Sequence, residues 1–205
     1  RFAMEEYGIK RIFILDWDAH HGNGIQDIFY DDPRVLYASL HQYPHYPGSG
    51  SFHEVGSGKG EGFTVNFPFP AHSGEEAYLA AFDQVILPIA RQYEPEIVLI
   101  SAGYDGHFND PLCSMLLGAK NYAERAERLK ALAEEFCGGR MMASLEGGYD
   151  LTGIAASIAN TIAVMAGEDI RLVEEEASRP GLTSPRRALE VVEAAREYLS
   201  RYWSL

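Results

Sequence analysis

Two Asp, two His and two Gly fall within nine consecutive residues, Asp16-Trp17-Asp18-Ala19-His20-His21-Gly22-Asn23-Gly24, directly after the apolar run Ile12 to Leu15. A buried strand that ends in carboxylates, imidazoles and glycines is how an α/β protein builds a site. Strand alternation predicts Asp16, Asp18 and His20 on one side. A second carboxylate and histidine, Asp105 and His107, follow the apolar run Ile97 to Ile100, and Gly147-Gly148-Tyr149-Asp150 follows Met141 to Leu145. Asp18, His20 and Asp105 make three N/O ligands, the number that leaves a catalytic zinc site an open position. Such a site lowers the pKa of a bound water to about 7 and polarises a carbonyl, which suits hydrolysis of an amide or ester. Tyr149, on a flexible turn after two glycines, could donate a hydrogen bond to the oxyanion. Alone, Tyr149 reads equally well as a rim aromatic and Asp105 as a helix N-cap. Other chemistries lack their motifs: there is no Gly-x-Ser-x-Gly elbow, no Gly-rich dinucleotide or Walker loop, and no catalytic context around either cysteine.

These groups need elements to position them. Strands are expected at Ile12 to Leu15, Val35 to His41, Phe63 to Phe67, Glu96 to Ser101 and Met141 to Leu145. Arg1 to Tyr7 reads as the last turns of a helix, and Gln26 to Tyr30 as a short one. Ser73 and Glu76 have capping-box spacing before an amphipathic helix carrying Tyr78, Phe82, Val85, Ile86 and Ile89, which Pro88 should bend. A helix from Ala119 to Phe136 exits at Gly138, and a stripe of Ile154, Ile158, Ile162 and Met165 stops at Gly167. Residues 168–184 read as a loop whose Glu174-Glu175-Glu176 run is a solvated face, and 185–203 as a terminal helix. Strands alternating with helices indicate an α/β fold with a mainly parallel sheet, whose ligands gather at the strand carboxyl ends. The Asp16 turn, the Asp105 turn, the Gly147 turn and the long His41 to Gly60 loop should therefore share one rim.

The 205 residues, 46% of them hydrophobic, suffice for a single domain spanning 1–205. No apolar run approaches the roughly 20 residues of a membrane span, and the first residues lack a signal-peptide core. A cytoplasmic protein is expected. Cys113 and Cys137 form no Cys-x-x-Cys pattern and read as buried small residues. The net charge of −13 argues against binding nucleic acid.

With these motifs in place the sequence resembles the histone deacetylase superfamily of zinc-dependent amidohydrolases, in its bacterial or archaeal class II-like branch. The matching stretches are Asp16 to Gly24, Ser39-Leu40-His41 with Tyr46-Pro47-Gly48, Ser101 to Asp105 with Asp110-Pro111-Leu112, and Leu145 to Tyr149, in the family's order over about residues 1–170. The resemblance implies a three-layer arginase/deacetylase-like fold and hydrolysis of an acetyl-lysine or acetylpolyamine amide. It implies zinc on Asp18, His20 and Asp105, with Tyr149 as oxyanion donor. It also places Tyr46, Leu112, Gly147 and Gly148 at the substrate, and a structural potassium ion on Asp16, Ser39 and Leu40. Phe29 and Val35 would give carbonyls to a second potassium. Asp16 would orient one catalytic histidine, and Asn23 stands where some relatives have Asp.

One departure matters. The family's Gly-His-His motif, source of the general-base pair, has no counterpart upstream of Asp16, and His20-His21 cannot replace it because His20 is committed to the metal. The chain is therefore expected to be the C-terminal part of such a domain, starting at Arg1, lacking the N-terminal strands and inactive alone. Its uncovered sheet edge predicts self-association into a homo-oligomer. The alternatives are a noncatalytic acyl-lysine-binding homologue and an arginase-like hydrolase. Against the latter, Gly22 occupies the place of the Asp that a dinuclear centre needs.

Overall fold

The computed structural model describes residues 1–169 and 186–205. Its centre is β1 (Ile12–Asp16), whose run Ile-Phe-Ile-Leu is apolar on both sides of the pleat and is buried throughout. The chain then forms β2 (Val35–Gln42), β3 (Thr64–Phe69), β4 (Ile97–Ala102) and β5 (Met141–Leu145). All pair in parallel, in the order β3-β2-β1-β4-β5. Register aligns Asp16 with Ser101 and Ala102 with Leu145, so β1, β4 and β5 end within one residue of the same level, while β2, aligned there at Ser39, runs on to Gln42. That level is the rim.

Two apolar layers hold the sheet. On one face Phe13, Leu15, Leu36, Ala38, Phe67 and Val98 pack under α3 (Glu75–Ala81), α4 (Leu87–Tyr93), α5 (Ala119–Phe136) and α7 (Arg186–Leu199). On the other, Ile12, Ile14, Val35 and Tyr37 pack under α1 (Phe2–Tyr7) and α2 (Asn23–Phe29). The remaining helix, α6 (Leu151–Ala166), lies against α5 and is stopped by Gly167 at φ 79°. No described helix is long and apolar enough to cross a membrane.

Several expectations need correction. Ser73 and Glu76 form no capping box: the N-cap is Gly74, and the Ser73 hydroxyl donates to the Pro70 carbonyl. The following helix is interrupted before Pro88, by a π-type widening at Phe82–Ile86. Pro88 itself sits in the first turn of α4, where its missing N–H costs nothing. The terminal helix ends at Leu199 rather than 203. There the chain turns so that Trp203 Nε1 donates to Gly62 O at 2.7 Å and Tyr202 donates to Glu61 at 2.8 Å. Most of the expected 168–184 loop, with its glutamate run, lies outside the described residues, as does Pro185.

Candidate metal centre

Asp18 and His20 lie beyond the end of β1, in a turn, so it is this turn and not strand alternation that brings them together. Each carboxylate folds the chain two residues on: Asp16 Oδ1 accepts from Asp18 N at 3.1 Å, and Asp18 Oδ1 from His20 N at 2.8 Å. Asp105, in the turn beyond the end of β4, reaches the same place, its Oδ1 accepting from Ala19 N at 2.7 Å. His20 Nδ1 then faces Asp105 Oδ2 at 2.7 Å and Asp18 Oδ1 at 3.2 Å. One donor atom from each of the three residues falls within 4.8 Å of the others. The third wall is the turn after β5, whose Gly147 N–H donates to Asp18 Oδ2 at 2.8 Å. A Cβ at Gly147 would lie 2.7 Å from Asp18 Oδ2 and 2.8 Å from Asp105 Oδ2, so only glycine permits this approach.

The electrostatics are those of a cation cradle. The Asp105 and Asp18 carboxylates push the His20 imidazole up to about 12. Burial raises Asp105, whereas for Asp18 the bonds from the His20 ring and from the His20 and Gly147 N–H groups outweigh burial and lower it. Two carboxylates and one imidazole nitrogen form an N/O donor set that fits a divalent ion of zinc type. Among the described residues Asp16, in contrast, gives its oxygens to neutral donors, Asp18 N–H and the Tyr37 hydroxyl at 3.0 Å. Burial and the neighbouring Asp18 raise its pKa well above the ordinary range. Asp16 and Ser39 are paired in register across β1 and β2, and the Ser39 hydroxyl bonds His41 Nδ1 at 2.9 Å.

An open cavity of about 500 Å³ joins Asp16, Asp18, His20, Ser101, Glu146 and Tyr149. Tyr149 is 53% exposed, and its N–H donates to Asp110 Oδ2 at 2.8 Å. Asp110 Oδ1 accepts from Leu112 N at 2.9 Å, so one carboxylate ties the Tyr149 turn to the Leu112 turn. Leu112 and Tyr46 are exposed, with the Tyr46 ring 6.4 Å from that of His20. Gly147 backs the carboxylates, and Gly148 takes φ 131° beside Ile154.

Two features escaped sequence reasoning. Glu54 accepts from Gln26 Nε2 at 2.6 Å, Ser51 N at 3.0 Å and Gly50 N at 3.1 Å, while Gln26 Oε1 meets Asn66 and His21. This network pins the long loop to α2 and β3. Cys113 is buried, as expected, but its sulfur stands 3.9 Å from His20 Nε2, a contact that its sequence distance from His20 conceals.

Compared with known proteins, residues 1–165 match the family described as the histone deacetylase domain. A probable deacetylase of Archaeoglobus fulgidus is 46% identical over 204 residues, covering 96% of this chain and 57% of that protein. The rice (Oryza sativa subsp. japonica) protein histone deacetylase 10, chloroplastic, is 46% identical over 168 residues, covering 82% of this chain and 38% of its own. Among solved structures, the HDA15 HD domain superposes with a TM-score of 0.85 at 38% identity, over 97% of this chain and 52% of that one. Histone deacetylase Clr3 superposes with a TM-score of 0.88 at 35% identity, over 98% and 34% respectively. The chain thus spans between about a third and somewhat over half of these proteins, and the fold is the α/β deacetylase type.

Proposed function

Since the chain belongs to the histone deacetylase domain family, we propose that it is the metal-binding part of a zinc-dependent amide hydrolase acting on acyl-lysine or acylpolyamine. The single observation that carries this reading is the convergence of Asp18, His20 and Asp105 beside the cavity that Tyr149 overlooks. Bound by these three residues, a zinc ion would supply Lewis acidity to the acyl carbonyl and to the attacking water. Tyr149 donates its phenolic proton in a hydrogen bond to the oxygen on which negative charge develops. Asp16, with the Ser39 hydroxyl and the main-chain oxygens of Asp18, His20 and Leu40, would hold potassium, and the Phe29 and Val35 carbonyls a second such ion. Tyr46 and Leu112 flank the acyl chain, with Gly147 and Gly148 behind it.

The general base is the missing part. His21 is not free for it, since its ring bonds Ser49 Oγ at 2.8 Å and Gln26 Oε1 at 3.1 Å. Burial, moreover, holds its pKa down. A histidine pair from polypeptide outside these residues would dock over the cavity, with Asp16 orienting one ring. The 205 residues alone are thus expected to bind metal and turn over negligibly. The test compares this chain with the longest natural product of its gene, on an acetyl-lysine peptide and an N-acetylpolyamine. Activity confined to the longer protein, and reduced about 10²–10³-fold by Tyr149→Phe, is the expected result. Robust turnover by the 205-residue chain, shown free of longer chains, would overturn the assignment of the base. Tight inhibitor binding without turnover by the longer protein would favour a noncatalytic acyl-lysine-binding role.

A further inference from the structure

His20 has two nitrogens, and only Nδ1 faces the carboxylates. On its Nε2 side Cys113 Sγ stands 3.9 Å away, and the His45 ring packs edge-on with centroids 5.0 Å apart. One donor atom each from His20, His45 and Cys113 lies within 4.8 Å of the others, a second cluster that shares His20 with the carboxylate trio and touches it again where Cys113 Sγ lies 4.0 Å from Asp105 Oδ2. Its chemistry differs in kind. Two imidazoles and a thiol form a soft set, where the trio is dominated by hard oxygens. The sulfur-to-Nε2 spacing is close to what an ion requires: bonds of about 2.3 Å to sulfur and about 2.0 Å to nitrogen place tetrahedral S and N ligands roughly 3.5 Å apart, while His45 must move further to close the set. Only a few tenths of an ångström therefore separate the observed contact from a ligand edge.

His45 is held where it can serve. Its Nδ1 accepts from Tyr46 N at 2.8 Å, and its Nε2 lies 3.3 Å from the Leu112 carbonyl. Both partners are backbone groups of partly solvated rim loops, so a cation has to displace only one of them. Cys113 is anchored from the other side, its N–H directed at Asp110 Oδ1 at 3.3 Å.

We propose that His20, His45 and Cys113 form a second cation site, at the mouth of the cavity, for a thiophilic divalent ion such as cadmium or zinc beyond the first equivalent. Binding releases the Cys113 thiol proton to solvent, together with the His20 Nε2 proton when the ring carries one. His20 is shared through its two different nitrogens, so an ion here leaves Nδ1 to the trio, and it sits beside Tyr46, where the acyl chain would enter. The site does not depend on the proposed hydrolase activity, and Asp18 takes no part in it.

Cadmium titration, followed by sulfur-to-cadmium charge-transfer absorption in the ultraviolet, tests this directly. The protein is compared with its C137S, C113S, H45N, H45A and D18N variants, each checked for native circular dichroism. A saturable band is expected in the unmodified protein, in C137S and in D18N. It should vanish in C113S, and cadmium affinity should fall at least about tenfold in H45N and H45A. Absence of the band in C137S, its persistence in C113S, or unchanged affinity in both His45 variants would overturn the proposal. Loss in D18N would show that the sulfur merely leans on the trio, and would overturn the site's independence.

Discussion

On one face of the sheet, Phe13, Leu15, Leu36 and Phe67 are sealed beneath four helices. On the other, the cover among the described residues is the six-residue α1 and the seven-residue α2, which reach β1, β2 and part of β4. Beyond it Met142 is 56% exposed. The trio is anchored from the sealed side, where Trp17 is buried within the turn that carries Asp18 and His20. The cavity, in contrast, opens over residues of the thinly covered side, Asp16, Ser101 and Glu146. The candidate site therefore sits at the border between the sealed face and the open one.

The sharpest way to break this contrast is to empty each face in turn. Phe13→Ala on the sealed face should cost about 3–5 kcal/mol in denaturant unfolding, because its cavity cannot collapse between strand and helices. An effect below about 1 kcal/mol would mean that the sealed face is not the stabilising one. At the rim between the faces, burial of Glu54 is outweighed by bonds from Gln26 and from the Ser51 and Gly50 N–H groups, so its pKa is lowered. A lowered folded value means that its stabilisation is complete above the ordinary 4.5 and is lost as pH falls through the lower folded value. Glu54→Gln should accordingly remove ~1 kcal/mol at neutral pH, discounted for partial exposure, and flatten the acid limb of the stability profile. An unchanged acid limb would show that the network does not hold the loop. The smallest effect belongs to the open face. Met142→Ser should change stability by less than about 0.5 kcal/mol while lowering self-association in sedimentation. A cost comparable to that of Phe13→Ala would erase the distinction between the faces.

Much of this was legible because the signals are local. The short apolar runs Ile12 to Leu15 and Ile97 to Ile100, each followed by turn residues, form parallel strands as expected, and Gly138 and Gly167 mark helix ends through their positive φ. Asp18, His20 and Asp105 could be grouped because each follows a strand end, and parallel strands bring their ends to one level. What escaped depends on tertiary choice. Ser73 has a cap-like spacing, but its hydroxyl finds the nearer Pro70 carbonyl. Cys113 meets His20, and Glu54 meets Gln26 of α2, because segments far apart in sequence return to one rim.

The most direct test of the account is metal content of the purified protein after dialysis against zinc and removal of loosely held ion, measured beside Asp18→Asn and Asp105→Asn variants of native circular dichroism. One tightly held zinc per chain is expected, lost in both variants when Cys113 is also replaced by Ser. Zinc absent from the unmodified protein, or retained in both variants on that Cys113→Ser background, would contradict the assignment.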